Sequence, residues 1–155
     1  MKLLGHYIHP MLIVFPLGLL ATSVGFDVAT LVSGNGYWSE IAYWLITVGI
    51  VSGLLAAVFG VIDFLRIPTG TRARRIGVYH GLGNVVVVGL FGLSWFLRRD
   101  DPRSAEGLAY ALSFAGAGLA AITGWLGGEL VERLGVGVDQ GANLNAPSSL
   151  NSERV

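Results

Sequence analysis

Cysteine is absent from the 155 residues of the chain. Its absence excludes disulfide bonds, thiolate catalysis, iron–sulfur clusters held by cysteine and covalent attachment of a c-type haem. A bound metal ion or haem would therefore need histidine, carboxylate or methionine ligands. Methionine is itself scarce, because Met1 and Met11 are the two in the chain.

Charged residues are also scarce. They make up 13% of the chain, whereas a soluble domain usually has about 25%. The formal net charge is zero, so the chain has no basic footprint for nucleic acid and we expect no such partner.

Long apolar segments fill the chain instead, at about 10–32, 41–64, 78–97 and 108–130. Each approaches or exceeds the ~20 residues that an α-helix needs to cross a bilayer. We predict an all-α fold: an integral membrane antiparallel four-helix transmembrane bundle over residues 1–133, embedded in the lipid bilayer, followed by a polar tail at 134–155. The apolar run near the N-terminus is too long for a signal peptide, which favours a retained first span.

Proline and glycine refine this prediction. Pro16 lies inside the first span, where it removes a backbone donor, and it predicts a kink. Small residues spaced by four favour close helix contacts, within the chain or in a homo-oligomer through glycine-rich faces. These residues are Gly49, Gly53 and Ala57, then Gly77 and Gly81, then Gly124 and Gly128.

Basic residues are distributed unequally between the two ends of the predicted bundle. Six lie near the N-terminus, in the second loop and after the fourth span: Lys2, Arg66, Arg72, Arg74, Arg75 and Arg133. Three lie in the third loop: Arg98, Arg99 and Arg103. Since basic loops stay in the cytoplasm, this asymmetry predicts that both termini are cytoplasmic.

Each predicted span contributes one ionisable group near that cytoplasmic end. The four groups are His9, Asp63, His80 and Glu129. At a rise of ~1.5 Å per residue, all four lie about one helical turn below the same surface. Asn84 follows His80 by four residues and shares its helix face. Ionisable groups are costly in lipid, so their convergence predicts a functional site.

The chemistry of this cluster leaves several interpretations open. Imidazole with carboxylate suits zinc, iron or manganese in a bundle core. His9 and His80 could instead ligate a b-type haem from opposite faces, with Asn84 as a hydrogen-bonding support. A structural polar network and a proton or substrate path are the alternatives.

Asp27 stands apart from this cluster. It follows His9 by a helical distance of ~27 Å, which places it near the outer side of the membrane. We predict a structural ion pair between Asp27 and Arg98 or Arg99, at the outer end of the third span.

Four stretches carry a family resemblance: GHYIHPMLIVFPLGLL, AAVFGVIDFLRIPTGTRARR, YHGLGN and GWLGGELVERLGVGV. They resemble the bacterial four-helix membrane proteins grouped as domain of unknown function 2231. The resemblance implies a bacterial inner-membrane location. It also implies a redox context, because similar members occur beside Rieske and cytochrome c-type electron-transfer proteins. The family's HPxxxHFP motif has a second histidine where this chain has Val14, and His6 is the candidate to replace it as a ligand.

The leading hypothesis is a small inner-membrane protein that holds a redox cofactor or transition metal and is accessory to electron transfer. Its ligands would come from His9, His80, Asp63, Glu129 and His6. The alternatives are a structural or assembly subunit without a cofactor, and one half of a proton-coupled transporter.

Overall fold

A computed structural model describes residues 1–150 as four antiparallel helices preceded by a short hairpin. The hairpin pairs β1 (Lys2–Leu3) with β2 (His6–Tyr7). The helices are α1 (Ile8–Leu12), α2 (Val14–Ser33), α3 (Gly36–Leu65), α4 (Arg72–Arg98) and α5 (Gly107–Gly128), and α5 continues into a π-helical turn at Glu129–Arg133. Four helical segments, counting α1 and α2 together, are long and apolar enough to cross a membrane. The predicted fold class is confirmed.

Short, capped turns set the antiparallel order. Gly34 ends α2 with a φ of 69°, a left-handed conformation that suits glycine. The Asn35 side chain then accepts a hydrogen bond of 3.0 Å from the Tyr37 amide at the start of α3. At the start of α4, the Thr71 hydroxyl accepts from the Arg74 amide at 3.1 Å.

The first span is interrupted at Ile13, between α1 and α2. Pro16 has no amide hydrogen, so the carbonyl of Leu12 loses its helical donor. The break therefore lies one turn before the proline. It leaves His9 on a five-residue helix of its own.

The core lies midway along the bundle. Leu20, Ile46, Val87 and Phe91 form its buried cluster. Two glycines allow the helices to approach closely: a Cβ on Gly49 would lie 2.6 Å from Leu20, and one on Gly116 would lie 2.8 Å from Phe91. The apolar side chains on the outside of the helices are mostly exposed, as contact with lipid requires.

The predicted glycine pairs divide between inside and outside. Gly49 and Gly77 face other helices of the chain, since a Cβ on Gly77 would lie 3.0 Å from Phe64. Around Gly81, Gly124 and Gly128 a Cβ would meet nothing within 4 Å. These three face outward, and contact with a second copy through them stays a prediction.

The hairpin and the tail fold together over one end of the bundle. We call residues 1–7 and 134–150 the cap; the last residues of the predicted tail, 151–155, lie outside the described part. Lys2 Nζ donates to Asp139 at 2.8 Å, and the Ser149 hydroxyl donates to the Leu4 carbonyl at 3.0 Å. The Lys2–Asp139 hydrogen bond raises the pKa of Lys2 and lowers the pKa of Asp139.

Candidate functional site

Two histidines meet beneath the cap. His9 lies on α1 and His80 lies on α4, and their ring centres are 6.5 Å apart with the ring planes at 88°. Both rings are partly buried. Two of the four ionisable groups predicted to converge therefore do so.

His9 is held in place by residues of α3. Nδ1 of His9 lies 2.9 Å from the carbonyl oxygen of Ala56. Because a carbonyl oxygen only accepts hydrogen bonds, Nδ1 is the donor, and in a neutral imidazole the lone pair is then on Nε2. Gly60 makes room for the ring, since a Cβ there would lie 2.9 Å from Cε1 of His9.

His80 is held by α5 through the same kind of contacts. Nδ1 of His80 lies 2.8 Å from the carbonyl oxygen of Thr123 and donates to it. Gly127 makes room for this ring, because a Cβ there would lie 3.1 Å from Cε1 of His80. Both imidazoles thus donate through Nδ1 to a backbone carbonyl of the neighbouring helix.

Asn84 joins His80 to Thr123 in a closed network. Its amide nitrogen lies 2.8 Å from the His80 carbonyl oxygen and 3.2 Å from Nε2 of the same residue. Its side-chain oxygen accepts from the Thr123 hydroxyl at 3.1 Å. The i, i+4 spacing thus places Asn84 beside His80, and the network ties α4 to α5.

The two carboxylates do not join the histidines. Asp63 contacts the Met1 amine and lies 3.7 Å from Arg66. Glu129 accepts a hydrogen bond of 2.6 Å from Arg72. The basic residues that flank the spans bind these carboxylates at the end of the bundle. Among residues 1–150, no group of three or more His, Cys, Asp or Glu side chains could hold a metal ion.

His6 is not a third histidine of the pair. It lies exposed on β2, where Nε2 is 3.3 Å from the Ser149 hydroxyl. His6 therefore belongs to the cap, because the hairpin directs it toward the tail. Its predicted role as the replacement for the histidine missing at Val14 finds no support in this geometry.

A second polar cluster lies at the opposite end of the bundle. Arg98 donates to both carboxylate oxygens of Asp27, at 2.5 and 2.8 Å, and both side chains are fully buried. The Ser113 hydroxyl donates to Asp27 at 2.7 Å, and Arg98 also donates to the carbonyl oxygen of Ala109 at 3.2 Å. This cluster joins α2, α4 and α5.

The predicted alternative that Asp27 pairs with Arg99 is wrong, because Asp27 pairs with Arg98. Adjacent residues on a helix point about 100° apart, so Arg99 cannot face Asp27 together with Arg98. Its guanidinium lies 3.4 Å from Asp100 and 3.9 Å from the ring centre of Phe96.

The residues that the sequence did not single out are small ones. Gly60 and Gly127 make room for the imidazoles, and Ser94, Ser113 and Thr123 supply buried hydroxyls. Gly60 lies three residues before Asp63, and Gly127 four residues after Thr123. This periodicity could have indicated that they share a helix face with those polar side chains.

Four membrane-length helices with buried polar groups at each end define a multi-pass membrane protein. A family model described as predicted membrane protein (DUF2231) matches residues 5–140. The chain belongs to this family, as the resemblance indicated. Neither the curated proteins nor the solved structures include a match to the chain.

Proposed function

We propose that the protein is a bacterial inner-membrane protein in which His9 and His80 hold a redox cofactor such as a b-type haem, or a transition metal ion, as an accessory to electron transfer. The observation that supports this proposal is that the two imidazole rings make the same hydrogen bond. Each donates its Nδ1 hydrogen to a backbone carbonyl, which is the usual arrangement of a metal-ligating histidine. Nε2 is then the nitrogen that a metal would meet.

The spacing of the rings fits a shared metal. With metal–nitrogen bonds of about 2 Å, two imidazoles on one metal have ring centres about 5–6.5 Å apart. The observed 6.5 Å falls within that range, so the separation of the two rings is compatible with one metal ion between them. If the cofactor were a haem, His9 and His80 would be the residues that hold its iron, which histidine commonly ligates.

The donor set narrows the choice of metal. With Asp63 and Glu129 engaged by basic groups, the site offers nitrogen and no carboxylate. Imidazole suits iron and zinc, whereas manganese prefers oxygen. Iron, free or in a haem, would supply one-electron chemistry, and the protein would fix the ring orientations through Ala56 and Thr123. The amide of Asn84 also donates to the His80 carbonyl, so it keeps an acceptor when Nε2 is engaged.

The test is cofactor content in matched variants. Wild-type protein purified in detergent should contain about one iron, haem or zinc per chain by metal analysis and visible spectroscopy. His9→Ala and His80→Ala should each lose it, because alanine has no donor. His6→Ala is the control and should keep the full content. Wild-type protein that stays empty after reconstitution with each of these cofactors would refute the proposal.

A structural role is the second candidate, and the His80–Asn84–Thr123 network favours it. All three side chains are satisfied within α4 and α5. If the network only joins helices, His80→Ala and Asn84→Ala should both lower stability, by about 1–3 kcal/mol for an unpaired buried group. The wild-type protein should then contain no cofactor.

A further inference from the structure

The loop between α3 and α4, together with the first turn of α4, has an excess of positive charge. Four arginines lie within residues 66–75. Two of them have carboxylate partners: Arg72 lies 2.6 Å from Glu129, and Arg66 lies 3.7 Å from Asp63. Within residues 1–150, the other two, Arg74 and Arg75, have no carboxylate within 4.0 Å.

Arg74 is held rigidly by groups that carry no negative charge. Its Nη1 donates to the carbonyl oxygens of Phe64 and Ile67, at 2.7 and 3.3 Å. Its guanidinium also lies 3.8 Å from the ring centre of Phe64. Arg75 is exposed, and among residues 1–150 it has no carboxylate within 4.0 Å. Two positive charges therefore remain on consecutive residues of α4, and both side chains line the same surface depression.

An open surface depression of about 290 Å³ lies beside these two arginines and the membrane-spanning part of α4. Its lining consists of Gly70, Thr71, Arg74, Arg75 and Val78. Val78 and Leu82 follow Arg74 at intervals of four residues on one helix face, and both are exposed. The surface is thus cationic at the membrane interface and apolar just below it.

We propose that Arg74 and Arg75 bind the headgroup phosphate of an anionic phospholipid, whose acyl chain lies along Val78 and Leu82. Guanidinium groups match phosphate oxygens in geometry as well as charge. Basic pockets beside spanning helices bind anionic headgroups. A zwitterionic headgroup fits less well, because its own cation opposes the two arginines. This inference is independent of the histidine pair and of any cofactor there.

The experiment is a lipid titration of the full chain in detergent, followed by native mass spectrometry. Phosphatidylglycerol and phosphatidylcholine with identical acyl chains are the probes. Wild-type protein should bind phosphatidylglycerol more tightly. Arg75→Gln should weaken that binding about fivefold, the share of one basic residue at a membrane surface. Because Arg75 has no carboxylate partner, this variant should fold as the wild type does.

Arg99→Gln is the matched control, since Arg99 is an exposed arginine at the other end of the bundle. It should leave phosphatidylglycerol binding unchanged. The proposal is overturned if Arg75→Gln binds like the wild type, if Arg99→Gln loses as much, or if the two lipids bind equally. Displacement of the lipid by an equal concentration of inorganic phosphate would also overturn it, because the site would then recognise free phosphate.

Discussion

At the scale of single residues, the absence of a side chain shapes the histidine site as much as its presence. His9 can donate to Ala56 because position 60 has no Cβ, and His80 can donate to Thr123 because position 127 has none. The two glycines thus decide how far each ring can approach its carbonyl.

Gly60→Ala should therefore displace the His9 ring. The new Cβ would lie 2.9 Å from Cε1 and 3.0 Å from Nδ1, closer than such atoms pack, so the bond to Ala56 should break. Loss of a hydrogen bond that orients a ligand lowers metal affinity about 10–100-fold. The measurement is metal or haem affinity by titration in detergent.

Gly124→Ala is the control, because a Cβ at that position meets nothing within 4 Å. It should bind with wild-type affinity. Equal affinities for Gly60→Ala and Gly124→Ala would show that the contact of His9 with α3 does not contribute to cofactor binding.

The sequence indicated the positions of these groups along the helices but not their partners. The depth of His9 and His80 followed from rise per residue, and these two do meet. The same reasoning placed Asp63 and Glu129 beside them, yet Arg66 and Arg72 lie closer to the carboxylates. Which partner a side chain reaches depends on rotamer and helix rotation, and a one-dimensional pattern contains neither.

At the scale of helices, the buried pair of Asp27 and Arg98 is the strongest polar connection between spans. Removing one partner of a buried ion pair costs about 3–5 kcal/mol, because the remaining charge stays uncompensated. Asp27→Leu should lower the free energy of unfolding in detergent by that amount. The double variant Asp27→Leu with Arg98→Met should lose much less, since no charge then remains buried.

Asp100→Asn provides the comparison, because Asp100 is exposed and its contact with Arg99 is 3.4 Å long. Exposed pairs contribute about 0–1 kcal/mol, so this variant should unfold like the wild type. If Asp27→Leu were as stable as Asp100→Asn, the pair at the outer end would have no role in stability.

The helices themselves were predictable because apolar length is a strong signal. Pro16 predicted that the first span would be kinked, but it did not predict that the interruption would lie at Ile13. The sequence did not predict the hairpin, because strands of two residues are too short to show an alternation of apolar and polar side chains. Leu4, with a φ of 49°, is an unusual turn residue that no turn pattern indicates.

At the scale of the whole molecule, the two polar clusters lie on either side of an apolar layer. Leu20, Ile46, Val87 and Phe91 occupy the middle of the bundle, between the histidines and the Asp27–Arg98 pair. The described residues therefore offer no support for a continuous proton path, which one half of a proton-coupled transporter would need.

Orientation in the membrane is the prediction that belongs to this scale. Arg98 is buried with Asp27, so the loop between α4 and α5 retains Arg99 and Arg103, which lie 3.4 Å from Asp100 and 2.6 Å from Glu40. This strengthens the expectation that both termini are cytoplasmic. A reporter active in the cytoplasm should be active at the C-terminus and inactive in the loop at 33–40. The reverse result would place the histidine pair on the outer side.

The attachments of α4 have a mechanical consequence. This helix is fixed to α5 by His80 and Asn84 at one end and by Arg98 at the other, about 27 Å apart along its axis. It can neither slide by a turn nor rotate without breaking both sets of bonds. The helix that carries His9 has five residues, a break behind it and a single side-chain bond to α3. If the distance between the two imidazoles increases, we therefore expect α1 to move while α4 keeps its position.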